Sequence, residues 1–250
     1  MFDKNWFMSI RHIQNANITI ICFPYGGGGA SAFWSWRKLG IQSDIYALKL
    51  PGRESRIAED PICSRTQLID LIVDALPSTW VHPIVFYGHS MGAGIAFQTI
   101  LELKKRHRQV PYLLIASGRE PPHYEPKNPV YDLDDEQLIV YLQKLGGIRD
   151  NIPKDSDFIN QYIPKIRADY QLNSSLSIKA SIQLPLHISI INGADDRLIN
   201  LDTLQEWEMY TTYRLDSTLM SGGHFFIAEY FDKFITVIEQ HILTTLATYA

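Results

Sequence analysis

The chain has 250 residues, 46% hydrophobic and 20% charged, with a formal net charge of -4. That length suits one domain with a core of useful size and room for an inserted subdomain, and the acidic balance excludes an overall basic footprint for nucleic acid. No apolar run reaches the ~18 residues of a membrane span, the N-terminus lacks the continuous apolar core of a signal peptide, and Cys22 and Cys63 show no CxxC spacing. The expectation is a soluble cytoplasmic protein without a structural disulfide.

Apolar runs at residues 18–23, 45–50, 84–87, 112–116 and 186–191 read as short buried strands, and residues 213–218 as a last one. Cys22 falls in the first run and reads as a small buried hydrophobe. Helical spacing at residues 66–76 and 92–105 separates the runs, and residues 231–243 form a final helix. Strands alternating with helices predict an α/β fold with a mostly parallel central sheet flanked by helices. Residues 120–184 break this rhythm. They open with the proline-rich EPPHYEPKNP and continue as two helical stretches, near 134–145 and 155–170, without a strand run between them. The prediction is a helical insertion inside a single domain spanning 1–250. Ligands sit at the carboxyl ends of strands in such sheets, so the insertion reads as a lid, with a structural decoration as the alternative. Its residues Tyr131, Leu138, Leu142, Tyr162 and Ile166 either line a pocket or pack the helices together.

The chemistry starts at VFYGHSMGAGIAF, residues 85–97. Gly88-His89-Ser90-Met91-Gly92 stands between an apolar strand and a helix, the context of a nucleophile elbow, where glycines flank a serine held on a strained corner. A serine hydroxyl needs a base, and the base an orienting partner. In this arrangement the acid and then the histidine follow the serine along the chain. Only His224 and His241 fall late enough. His224 lies in SGGHFFI, after the last strand, where glycines let the ring turn inward and the aromatics behind can hold it. His241 reads as a solvent-facing residue of the last helix, His89 as the variable residue of the elbow and His107 as part of a solvated helix end. The acid loop INGADDRLI carries two aspartates; Asp196 is preferred because the loop after this strand usually reads Gly-x-x-Asp, which leaves Asp195 to the turn. Two backbone donors are expected for the oxyanion: the N–H of Met91, and one from the loop PYGGGGA, with Gly26 first and Tyr25 second. That loop lacks the Gly-Lys-Ser/Thr of a P-loop and the third glycine of a dinucleotide fingerprint. No metal-ligand spacing appears.

Together, ICFPYGGGGASAFWSW, LPGRESR, VFYGHSMGAGIAF, ASGREPP, LGGI, PKIRADY, INGADDRLI and MSGGHFFI resemble, in order, the type II thioesterases, stand-alone editing enzymes of nonribosomal peptide and polyketide assembly lines. LPGRE and RADY are the most specific of these. Gly26 departs from the family, which often has alanine there. The resemblance implies an α/β-hydrolase fold with a helical lid, Ser90, Asp196 and His224 as the catalytic triad, and hydrolysis of acyl groups from the phosphopantetheine arm of acyl or peptidyl carrier domains. It implies no cofactor of the protein's own. Such carriers are acidic by family expectation, so docking would use a local basic or apolar face; Arg53, Arg56, Arg119 and residues 104–108 are the candidates. Residue spacing alone shows a serine hydrolase. A carboxylesterase or acyl transferase on small free substrates would keep the same triad, and a non-catalytic carrier-binding module would not need it. Starting at Met1 without an upstream linker, the chain is expected as a separate protein rather than an embedded cyclising domain.

Overall fold

Two-residue periodicity with both faces buried builds the sheet. In β2 (Ile18–Phe23) Ile20 and Cys22 enter one apolar layer, while Ile21 and Phe23 enter the other. β4 (Ile84–His89) and β5 (Leu113–Ser117) alternate in the same way, Val85, Tyr87, Leu113 and Ile115 against Phe86 and Leu114. Such strands are buried on both sides because helices cover both faces. The computed structural model describes residues 1–125, 130–148, 157–180 and 182–248. Among these, seven strands form one sheet in the order β1-β3-β2-β4-β5-β6-β7, completed by β3 (Ser43–Leu48), β6 (His187–Gly193) and β7 (Asp216–Met220). All neighbours pair in parallel except β1 (Phe7–Arg11), which runs antiparallel to β3. The predicted α/β fold with a mostly parallel sheet is observed.

Helices α1 (Arg65–Ala75) and α2 (Met91–Lys105) bury their apolar residues in one layer; the last helix and a 3-10 segment, Ala30–Lys38, bury theirs in the other. Arg106 binds Glu102 of α2 and reaches Asp70 and Asp74 of α1, so charge as well as packing joins the two helices. Among the described residues no helix is long and apolar enough to cross a membrane.

Sequence reading missed β1, whose burial is confined to Phe7 and Ile10 and whose place is given by pairing with β3. The last strand begins at Asp216, three residues later than expected. Its residues are mostly exposed, so its bounds follow the ladder to β6, Ser189 to Asp216 through Gly193 to Met220, rather than its own apolarity. Tyr213 stays outside it and stacks on the His187 ring at 4.0 Å.

Between β5 and β6 lie a 3-10 turn, Val130–Asp132, and helices α3 (Asp135–Lys144) and α4 (Asp157–Ser174). Residues 126–129, 149–156 and 181 of the expected insertion lie outside the described residues. α3 starts with a capping box: the Asp134 side chain accepts the Gln137 N–H, and Gln137 reaches back to the Asp134 N–H. Leu138 and Leu142 of α3 meet Ile159, Ile163 and Ile166 of α4 in a small core of their own. Leu172, further along α4, enters the main core and seats the insertion on the sheet. A four-residue helix, α5 (Phe226–Glu229), precedes α6 (Phe231–Ala247).

Candidate active site

The six parallel strands end on the same side of the sheet, at Phe23, Leu48, His89, Ser117, Gly193 and Met220. Each predicted site residue lies in a loop or helix start just beyond one of these ends. Ser90 sits at φ 53° and ψ -118°, the strained corner expected of a nucleophile elbow. Its N–H donates to the Ser117 carbonyl at 2.8 Å, holding the corner against β5. The flanking glycines are explained by close approach: a Cβ on Gly88 would overlap the Gly92 backbone, and one on Gly92 would overlap the Phe23 carbonyl oxygen and lie 2.8 Å from that of Pro24. These neighbours are backbone and cannot rotate away. Gly92→Ala is therefore expected to destabilise the fold by about 3 kcal/mol, measured by urea unfolding against wild type.

Asp196 and His224 are both buried, and His224 Nδ1 donates to Asp196 Oδ2 at 2.7 Å. Asp196 Oδ1 accepts the Leu198 N–H at 2.9 Å, so the carboxylate is clamped at both oxygens. The two loops are stitched together by backbone: Ala194 N–H donates to Met220 O and Asp195 N–H to Gly222 O. The side chain of Asp195 is exposed, consistent with a turn role. A Cβ on Gly193 would overlap the Gly222 and Gly223 carbonyls, so the approach of the acid loop to the histidine loop needs glycine there. Phe225 packs edge-on against the His224 ring, centres 5.4 Å apart, and the fully buried Phe226 packs against His89.

Met91 is buried at the first position of α2, and Gly26 lies in the glycine loop after β2. Both border, with Ser90, Tyr25 and His224, a cavity of about 430 Å³. A Cβ at Gly26 would meet only Asp169 Cβ, at 3.9 Å, so an alanine there would fit without a shift. The insertion closes the far side of the cavity with Tyr131, Tyr141 and Tyr170. Of the five insertion residues that could have lined a pocket, Tyr131 does so. Leu138, Leu142 and Ile166 pack the insertion's own core, and Tyr162 is not among the lining residues. Burial raises the phenol pKa of Tyr25, Tyr141 and Tyr170, keeping these hydroxyls neutral.

The family model of the thioesterase domain matches residues 18–242, from β2 into α6, and so takes in all three loops. The chain belongs to the thioesterase family. This thioesterase is 30% identical over 228 residues to the gramicidin S biosynthesis protein GrsT of Aneurinibacillus migulanus, covering 90% of this chain and 89% of that protein. It is 31% identical over 236 residues to the medium-chain S-acyl fatty acid synthase thioesterase of Homo sapiens, covering 91% and 87%. The solved structure of YbtT, a type II thioesterase from the yersiniabactin NRPS/PKS biosynthetic pathway, superposes with a TM-score of 0.85 at 25% identity, covering 96% of this chain and 99% of that one. The fold is that of the α/β-hydrolases, and the protein is a type II thioesterase, a thioester hydrolase.

In this thioesterase the two stretches more specific than the elbow motif touch each other. Arg53 of LPGRE and Asp169 of RADY form a buried bidentate pair, at 2.6 and 2.7 Å. Glu54 accepts the Ala30 and Ser31 N–H groups and caps the 3-10 segment that follows the glycine loop. Arg167 donates to the Tyr131 carbonyl and pairs with Asp135, tying the insertion together, and Tyr170 lines the cavity. Sequence reading singled out these motifs without finding their roles, because partners 116 residues apart leave no local signal.

Three expectations, for Arg53, Arg119 and His241, are corrected. Arg53 is buried against Asp169 and offers no docking charge. Arg119 faces the cavity, donates to Asn173 Oδ1 and lies 3.4 Å from the Ser90 carbonyl; burial draws its pKa down to about 10. Arg56 pairs with Glu59 and covers the Trp6 ring; in the run at 104–108 the exposed Lys105 pairs with Glu102, and Arg108 binds the carbonyls of Val73, Leu76 and Pro77. His241 is buried, sharing a hydrogen bond with Thr218 at 2.9 Å and lying 2.8 Å from the Asp216 carboxylate, because α6 turns that face onto β7.

His89, read as the variable elbow residue, is also fully buried. Its Nδ1 shares a 2.9 Å hydrogen bond with Ser117 Oγ, and its ring centre lies 4.9 Å from that of His224. Gly118, at φ 57°, leaves room for it. Burial, and then the neighbouring His224, hold its pKa well below the ordinary value of 6.5. The folded protein therefore keeps His89 neutral where the unfolded chain binds a proton. Stability is expected to fall as pH drops below about 6.5, by up to about 1.4 kcal/mol per pH unit from this group, until folded His89 itself protonates. In His89→Gln that contribution disappears, and urea unfolding at stepped pH should show a shallower slope by nearly that amount.

Proposed function

We propose that this thioesterase hydrolyses acyl groups from the phosphopantetheine arm of carrier domains in a nonribosomal peptide or polyketide assembly line, clearing misacylated or stalled arms. The buried 2.7 Å bond between His224 Nδ1 and Asp196 carries this reading, because it leaves Nε2 as the ring's acceptor on the cavity that Ser90 borders. The biosynthetic relatives point the same way.

In this reading Ser90 Oγ attacks the thioester carbonyl and its proton passes to His224 Nε2, with Asp196 steadying the imidazolium. The backbone N–H groups of Met91 and Gly26 hold the oxyanion. The C–S bond then breaks and the arm leaves as a thiol, its sulfur taking the proton from His224 Nε2, an easy departure for a group whose pKa lies near ~8.5. Water, losing its proton to His224, attacks the acyl-serine, and collapse frees the acid and regenerates Ser90. The reaction uses no cofactor of the enzyme's own; the arm belongs to the carrier. The insertion acts as the lid over the bound acyl group.

The test supplies the same acyl group on a carrier, on coenzyme A and as a simple ester, and follows acid release by mass spectrometry. Higher kcat/KM on the carrier supports the proposal. Equal or higher values on coenzyme A or the ester would favour a hydrolase or transferase of small free substrates. No release from any of the three would remove the enzymatic roles assigned to these residues.

A further inference from the structure

We infer that Asp169 and Asn173, one turn apart on insertion helix α4, are positioning residues that hold both backbone donors of the oxyanion hole, through Arg53 and Arg119. The inference rests on the roles proposed above for Gly26 and Met91.

The Gly26 donor belongs to the peptide joining Tyr25 and Gly26. The carbonyl of that peptide accepts the Gly28 N–H at 2.9 Å. In a trans peptide the N–H points opposite to the carbonyl, so this bond also aims the Gly26 N–H. Gly28 is in turn held by Arg53 Nη1, which donates to its carbonyl at 2.9 Å. The next peptide is held by Asp169, whose Oδ2 accepts the Gly27 N–H at 2.7 Å. Asp169 and Arg53 therefore fix the loop on both sides of the donor. The second donor, Met91 N–H, belongs to the peptide whose carbonyl is Ser90 O. That oxygen accepts the Ala93 and Gly94 N–H groups at 3.1 and 3.4 Å as α2 begins, and Arg119 Nη1, which also donates to Asn173 Oδ1, adds a further contact to it at 3.4 Å.

Stability alone does not account for the Arg53–Asp169 pair. A buried ion pair can often be replaced by apolar side chains with little loss. Apolar side chains could neither accept the Gly27 N–H nor donate to the Gly28 carbonyl. The pair is only 8% and 4% exposed, so water cannot take over those bonds. α4 thus carries, on one face, an anchor of each donor, and Tyr170 between them lines the cavity. Unseating α4 would free the glycine loop around Gly26 and leave the Met91 peptide held by α2 alone.

The test compares wild type, Asp169→Asn and Asn173→Ala on p-nitrophenyl acetate, whose turnover needs no carrier. It also measures binding of a phenylboronic acid, which forms a tetrahedral adduct on the serine, and the midpoint of thermal unfolding. Wild type must hydrolyse the ester and bind the boronate; failure there strikes the proposed active site and not this inference. Loss of a full oxyanion donor costs about 10²- to 10³-fold in kcat. Misalignment should cost about tenfold or more in Asp169→Asn and about threefold or more in Asn173→Ala, with KM within about threefold and boronate affinity falling in parallel with kcat. Wild-type kcat and boronate affinity in folded variants, whatever their unfolding midpoints, would overturn the inference. If Asp169→Asn does not fold, Asn173→Ala decides by the same readouts.

Discussion

Ser90→Ala is expected to lower turnover of an acylated carrier by about 10⁴- to 10⁶-fold, with an unfolding midpoint close to wild type. The side chain lost is small and faces the cavity. The bonds that hold Ser90 in the elbow, its N–H to Ser117 O and its carbonyl to the Ala93 N–H and Arg119, use its backbone atoms, which the substitution keeps. Activity and fold therefore separate cleanly. Residual rates over water should remain, because the oxyanion donors and the binding cavity are untouched. Single-turnover quench-flow with intact-protein mass spectrometry checks the result: wild type should pass through an acylated state 1:1 with enzyme, and the variant should show none. A variant that still hydrolyses its acylated carrier at the wild-type rate would exclude Ser90 as nucleophile.

Asp196→Asn is the second large effect, about 10⁴-fold in kcat. The carboxylate accepts from two donors at once, His224 Nδ1 and the Leu198 N–H. An amide has a single acceptor oxygen. If that oxygen faces Leu198, the amide N–H₂ faces His224 and forces Nδ1 to accept, so the ring proton moves to Nε2. The imidazole then has no lone pair for the Ser90 proton. If the amide turns over, its N–H₂ confronts the Leu198 N–H inside a buried site, which costs about 1–3 kcal/mol of stability. Either orientation is damaging, the first to rate and the second to fold. Proton NMR of the Nδ1–H, far downfield when hydrogen-bonded to a carboxylate, reports which orientation is adopted. Wild-type kcat in Asp196→Asn would show that His224 needs no carboxylate.

Much of this could be read before any coordinates. The elbow was legible because backbone crowding demands glycine on both sides of Ser90, and a demand of that kind is written as a local motif. Asp196 and His224 were legible because they follow identifiable strands in a known order, and Asp196 was preferred to Asp195 on the loop pattern; in the structure the Asp195 side chain is exposed and Asp196 is buried. His241 was misread as solvent-facing, and the burial of His89 was not seen. Each is buried by a contact from a distant element, Ser117 in one case and β7 in the other, that neighbouring residues do not announce.

Composition, periodicity and motif order alone determined that this is an α/β protein with a serine, an acid and a histidine beyond the ends of parallel strands. These are properties of local spacing, which folding preserves. The tertiary structure alone decided what Arg53, Arg119 and Asp169 do. A charged side chain exposed in solution and one sealed in a bidentate pair have the same sequence signature, and only burial and the partner's approach distinguish them.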